Sequence, residues 1–186
     1  MQTILHENLS PGQDYHSPPC RIPLANWATH SRLPRTTMMG TRCDVVMLDP
    51  AAHFDDLWDA FQTDPSGKSW TYLFVDMPAT REALRAYLDA QAKTADPLCH
   101  TLIDKSTGRA VGIASFMRID ANMGVIEVGN INYSERLKRT AIATEVMFLM
   151  MKRVFDELGY RRYEWKCDSL NHPSRKAAER YGFVYE

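Results

Sequence analysis

No Cys-x-x-Cys pair occurs in this chain. Its four cysteines, Cys20, Cys43, Cys99 and Cys167, are scattered, whereas a disulfide framework or a zinc site normally shows tighter spacing. They read as reduced thiols in an intracellular protein, with no metal. A dominant charge is also lacking: 22 Lys and Arg stand against 23 Asp and Glu. Broad, non-specific binding to nucleic acid needs a basic face, so that class is excluded, although a local basic pocket is not. No apolar stretch reaches membrane-spanning length, and "VMFLMM" is followed at once by Lys152 and Arg153. The segment "MQTILHENLSPGQDYHSPPCRIP" has no basic stretch before an apolar run, unlike a secretory signal. The expectation is a soluble cytoplasmic protein. The phosphate-binding G-x-x-x-x-G-K-[ST] and the nucleophile elbow G-x-S-x-G are missing too.

What is present is enough apolar material for a core: 45% of 186 residues are hydrophobic. The length suits one domain, or one domain with a tail. Residues 1–40 are rich in Pro, Ser, Thr and Asn and show no sustained period. They are expected to be an extended arm, with Trp27 docking on the domain surface. The domain is expected over residues 41–186.

Within it, "TRCDVVML" reads as a strand. Asp49 and Pro50 then cap and open a helix whose Phe54, Leu57, Trp58 and Phe61 share a face. "SGKSWTYLF" reads as a loop, and "MPATREALRAYLDAQAKT" as an amphipathic helix. "PLCHTLID", "RAVGIASFMRID" and "VIEVGNINYS", joined by "KSTG" and "ANMG", predict an antiparallel meander. A helix over about 141–158 ends at Gly159, a natural left-handed cap. "YRRYEWKCDS" alternates as a strand, and "NHPSRKAAERYGF" is a short helix capped by Asn171. A helical crossover makes the last two long strands parallel. The fold class is therefore α/β (α+β): a mixed, mostly antiparallel sheet with one parallel β-α-β unit.

The start of the 141–158 helix is unusual. Lys138 and Arg139 precede it, although a helix N-terminus already carries about half a positive charge, and cations there cost about 0.3–1 kcal/mol each. Either both side chains reach water and pair with Glu135, or they serve an anion that also meets the free amides. The residues at the turn, Thr140, Ala141 and Ala143, are small enough to let a bulky anion approach the backbone.

The stretch "LKRTAIATEVMFLMMKRVFDELGYRRYEWKCDSLNHPSRKAAERYGF", with "GIASFMRID" and "GVIEVGNINYS", resembles the GNAT superfamily of acetyl-CoA-dependent N-acetyltransferases, and within it the Rim-type branch that modifies ribosomal proteins. The family pattern at the helix start is Gln or Arg, two residues, Gly, one residue, then Gly or Ala. Here Lys138 and Ala141 depart from it. The resemblance implies that Lys138, Arg139, Thr140, Ala141, Ile142, Ala143 and Thr144 bind the pyrophosphate of acetyl-CoA. It implies that the pantetheine arm lies between splayed strands, pairs with backbone near Asn130, Ile131 and Asn132, and meets Asn171 and the helix that follows it. Arg175 and Lys176 either reach the 3′-phosphate or are solvated.

Acetyl transfer to an amine requires proton removal from the amine, polarisation of the thioester and stabilisation of the departing thiolate. Glu127 is the candidate base; alternatively it only pairs with Arg162 or Lys166 and holds the splay. In many relatives a Tyr seven residues after the helix-capping Asn acts as acid; here that position is Ala178. Ser174 is the substitute donor, or merely a cofactor contact. Asn171 completes the candidate catalytic set. Trp70, Tyr72 and Phe74 either line the acceptor pocket or pack in the core.

The family fold continues past Gly182-Phe183 with a hairpin, and here the sequence ends at Glu186. The last hairpin strands are therefore expected to be missing. The strand around Trp165 would then have an uncovered edge, for a second copy to cover as a homodimer or to remain a source of instability. Two readings follow. One is an N-acetyltransferase acting on a primary amine of a protein N-terminus or small molecule. The other is a truncated, non-catalytic scaffold that binds coenzyme A or a protein partner. Neither involves nucleic acid or a membrane.

Overall fold

A computed structural model describes residues 2–7 and 28–186 of the chain. In chain order the strands are β1 (Gln2–Glu7), β2 (Met38–Met39), β3 (Cys43–Met47), β4 (Leu98–Asp104), β5 (Arg109–Asp120), β6 (Val125–Tyr133), β7 (Arg162–Cys167) and β8 (Val184–Tyr185). The helices are α1 (Pro50–Phe61), α2 (Arg81–Lys93), α3 (Ala141–Lys152) and α4 (His172–Arg180). They form one sheet of order β2-β3-β4-β5-β6-β7-β1-β8. Every neighbouring pair is antiparallel except β6 and β7, the two strands that α3 connects.

The local signals act as their chemistry dictates. Asp49 Oδ1 accepts the Ala51 amide at 2.9 Å and Pro50 opens α1. Thr80 Oγ1 accepts the Ala83 amide at 3.2 Å and opens α2. The loop between these helices holds one turn of 3-10 helix, Lys68–Trp70. α3 widens into a π turn over Arg153–Glu157, and Gly159 ends it at φ +69°. A residue with a Cβ is strained there.

Two cores sandwich the sheet. On one face Leu57, Phe61, Trp70, Leu84 and Leu88 of α1, α2 and their loop pack on Cys99, Ala110 and Ile113. On the other, Ala143, Val146, Met147 and Met150 of α3, with Ala178 of α4 and Phe183, pack on Leu102, Phe116, Val128, Tyr163 and Trp165. The Met-rich run is core filling. α3 is tied down at both ends. Glu145 accepts the amides of Thr41, Arg42 and Cys43 at 2.8, 2.7 and 3.1 Å. The buried Arg153 donates to Thr36 Oγ1 at 3.0 Å and pairs with Glu157 at 2.6 Å.

Two expectations change. The outer edge of β7 is not left bare: β1 pairs antiparallel with it from Gln2↔Cys167 to Glu7↔Arg162, and β8 pairs with β1 in turn. A second copy is therefore not needed to cover that edge, so the ground for a homodimer there falls away. The strand beside β7 comes from the far end of the chain, a pairing with no local sequence signal. Within residues 1–40, moreover, Gln2–Glu7 and Met38–Met39 are strands rather than a plain extended arm. Trp27 and Cys20 lie outside the described residues. Cys43, Cys99 and Cys167 are free thiols. Among the described residues no helix is long and apolar enough to cross a membrane, and no cluster could hold a metal ion.

Candidate active site

The site is built where β6 and β7 part. Their parallel pairing runs only from Val125↔Arg162 to Val128↔Trp165, whereas β6 continues to Tyr133 and β7 to Cys167. The parting coincides with a bulge. Ile113 faces Asn132 and Ser115 faces Gly129, so Ala114 alone stands against Asn130 and Ile131. Asn130 takes the strained φ of +48°, as an inserted residue in a bulge does. Asn130, Ile131 and Asn132 therefore lie on the stretch of β6 that no longer pairs with β7.

The first turn of α3 follows. Thr140 caps it, its Oγ1 accepting the Ala143 amide at 3.2 Å. Among the described residues, the amides of Ala141 and Ile142 meet no acceptor. Arg139, exposed, holds a left-handed φ of +62°. Lys138 takes the bland option: its ammonium pairs with Glu135 at 2.5 Å. That surface pair is weak, so it does not commit the side chain. The side chain of Thr144 accepts from Arg180 at 3.3 Å.

At the start of α4, Asn171 Oδ1 accepts the Ser174 amide at 3.2 Å, the cap expected from its position. Ser174 Oγ accepts the indole N–H of Trp165 at 2.9 Å, which leaves the Ser174 hydroxyl proton available to a further acceptor. Trp165 is the last β7 residue paired to β6, so Ser174 stands at the mouth of the parting. Ala178 is fully buried in the core. Tyr181 donates to the Ala143 carbonyl at 3.3 Å, binding α4 to the first turn of α3. Arg175 donates to the Ser169 carbonyl at 3.3 Å and caps its own loop.

Glu127 is 3% exposed on β6. Its Oε2 pairs with Lys166 at 2.9 Å and with Arg118 at 2.5 Å. The sequence reading found Lys166 but missed Arg118, and it offered Arg162, which instead pairs with Glu164 and Glu186. Arg118 is nine residues away across a hairpin, with a strained φ of +48°, and its amide donates to Asp96. Partial burial works against the Lys166 ammonium, but hydrogen bonds and charge from Glu164 and Glu127 outweigh it and hold its pKa above the usual lysine value.

Sequence reasoning also missed the side chain of Asn132. It is completely buried, and among the described residues neither its Oδ1 nor its Nδ2 has a hydrogen-bond partner. Leaving such atoms unsatisfied costs about 1–3 kcal/mol. Of the aromatics considered for an acceptor pocket, Trp70 is core, 3% exposed, whereas Tyr72 and Phe74 are exposed.

The sequence profile described as an acetyltransferase (GNAT) domain matches residues 46–184. Among solved structures, a GCN5-related N-acetyltransferase from Brucella melitensis is 42% identical with a TM-score of 0.83, covering 86% of this chain and 72% of that one. A probable acetyltransferase (GNAT family) from Chromobacterium violaceum ATCC 12472 is 32% identical with a TM-score of 0.78, covering 93% and 84%. The fold alone is shared with an acetyltransferase from Salmonella typhimurium that modifies the N-terminal serine of ribosomal protein L7/L12, at 16% identity, a TM-score of 0.63 and coverage of 81% and 83%. No protein in the curated set matches significantly. The matched span covers the parted strands, the α3 turn and α4, and on that ground the chain belongs to the GNAT family of N-acetyltransferases.

Proposed function

We propose that this enzyme transfers an acetyl group from acetyl-CoA to a primary amine, of a protein N-terminus or a small molecule, by direct attack within a ternary complex. The observation that carries this is the pair of amides at Ala141 and Ile142 that meet no acceptor among the described residues, at the head of a rigidly held helix and beside the parted strands. The residues fit the cosubstrate. Lys138, Arg139, Thr140 and the amides through Thr144 would hold its diphosphate. The unpaired backbone at Asn130, Ile131 and Asn132 would hold its arm, with Asn171, Ser174 and Arg175 on the opposite side. When bound, acetyl-CoA supplies an activated acyl group.

The chain's own residues supply the proton transfers. Glu127 takes the proton of the incoming amine, directly or through water. The Ser174 hydroxyl, whose oxygen is already engaged by Trp165, gives its proton to the departing sulfur. One observation favours the alternative, a scaffold that binds coenzyme A and transfers nothing: Glu127 Oε2 is already claimed by two cations.

Calorimetric titration of coenzyme A into the protein and into Lys138→Glu/Arg139→Glu tests the site. The double reversal is expected to weaken binding at least tenfold, and unchanged affinity would overturn the proposal. Thiol release from acetyl-CoA with an amine panel then separates enzyme from scaffold: binding without release supports the scaffold.

A further inference from the structure

Met117 faces Glu127 across the β5–β6 pair and is partly buried, yet among the described residues it packs into neither core. Its side chain bends over Gly129 instead. Glu127 and Gly129 are two apart on β6 and share a face. A Cβ at Gly129 would point where the thioether already lies: Met117 Sδ overlaps that point, Met117 Cγ is 3.3 Å from it, and Glu127 Oε1 is 3.5 Å from it. Glycine at 129 is what makes room for methionine at 117.

The two oxygens of Glu127 are used differently. Arg118 and Lys166 both pair with Oε2. Among the described residues Oε1 makes no hydrogen bond, and it is the oxygen beside the space over Gly129. Its lone pairs are open to an N–H donor. Gly129 is also the first residue of β6 past the last pairing with β7, Val128↔Trp165. The thioether therefore stands beside the open carboxylate oxygen, on the side of the parted strands.

We propose that Met117 ends the acceptor slot at Glu127 Oε1 and restricts acceptors to amines carried on an unbranched methylene. This rests on the reading above that Glu127 takes the proton of the amine. In that reading the nitrogen bonds to the acetyl carbon, the carbon–sulfur bond breaks, the surplus proton on nitrogen passes to Glu127, and the departing sulfur takes a proton from Ser174. With the nitrogen within hydrogen-bond reach of Oε1, the carbon that bears it lies against the Met117 side chain. Two hydrogens on that carbon fit, whereas a methyl group competes with the thioether for filled space. A simple alkylamine, a lysine side chain and a glycyl terminus meet the restriction; an amine on a branched carbon does not. Methionine is unbranched and yields in part, so the restriction is graded.

The test is thiol release from acetyl-CoA with two matched pairs, propylamine against 2-aminopropane and glycinamide against alaninamide, in wild type, Met117→Ala and Met117→Leu. Wild type is expected to favour the unbranched member of each pair in kcat/KM by about tenfold or more, the effect of one methyl group in a filled site. Met117→Ala is expected to bring this ratio below about threefold, and Met117→Leu, close in volume, to keep it. The same ratios are expected in calorimetric titration of the amines in the presence of coenzyme A. Unfolding midpoints confirm that the variants fold, and the wild-type ratio decides by itself if one does not. A ratio near one in wild type overturns the proposal, as does an unchanged ratio in folded Met117→Ala or no binding of any amine. Turnover with a ratio near one leaves the transfer reading standing. Binding with the expected ratio but without thiol release supports the Met117 slot and overturns the transfer reading instead, so the two failures are distinguishable.

Discussion

Among single residues, His100 shows most directly how burial sets a measurable property. It is 1% exposed on β4, edge-on to Phe116, with Nδ1 at 3.0 Å from the Leu98 carbonyl. Burial, with Arg153 and Arg35 nearby, lowers its pKa to about 4. Since the folded value lies below the unfolded one, the unfolded chain binds more protons between them. The contribution is complete above about pH 6.5 and is lost as the pH falls towards 4. A full shift of this size corresponds to about 3 kcal/mol. Unfolding free energies measured in urea from pH 7 to pH 5 are expected to fall in the wild type and to fall less in His100→Leu. Parallel curves would show that His100 carries no such linkage. Glu127, by contrast, draws its meaning from neighbours on two other strands, so its partners were only half legible from spacing.

The first turn of α3 is the element in which stability and binding pull apart. Arg139 sits at φ +62°, a conformation that a side chain disfavours and glycine does not. Arg139→Gly is expected to raise the unfolding midpoint by a few degrees, from relief of about 0.5–1 kcal/mol. The same change removes a cation from the proposed diphosphate site, so affinity for coenzyme A is expected to fall several-fold. A gain in stability with unchanged affinity would show that Arg139 has no part in binding. The amphipathic periods of α1 and α2, the caps Asp49 and Asn171, and the turn at Gly159 were all readable because they depend on residues within one or two turns of the chain. Lys138 and Arg139 were readable as an anomaly, and the strained φ behind Arg139 was not.

On the scale of the whole molecule the decisive feature is β1. It takes the place beside β7 where a bare edge was expected, and β8 then pairs with β1. An uncovered strand edge invites pairing with another chain. Deletion of residues 1–7 is therefore expected to lower the unfolding midpoint and to produce concentration-dependent association, read by light scattering on a sizing column. A deletion variant that stays monomeric with an unaltered midpoint would show that β1 adds nothing to the edge.

The amino-acid sequence by itself determined what depends on neighbours along the chain: the meander of β4, β5 and β6, the helices and their caps, the parallel relation of β6 and β7 through α3, and a family pattern strong enough to identify acetyl transfer. Only the tertiary structure decided which distant groups meet. It joined Arg118 and Lys166 on Glu127, brought Trp165 to Ser174, left the buried Asn132 carboxamide without a partner among the described residues, and extended the sheet with a strand from the opposite end of the chain. Periodicity and capping act over a few residues, whereas ion pairing, burial and strand pairing depend on distance in space, which residue spacing does not encode.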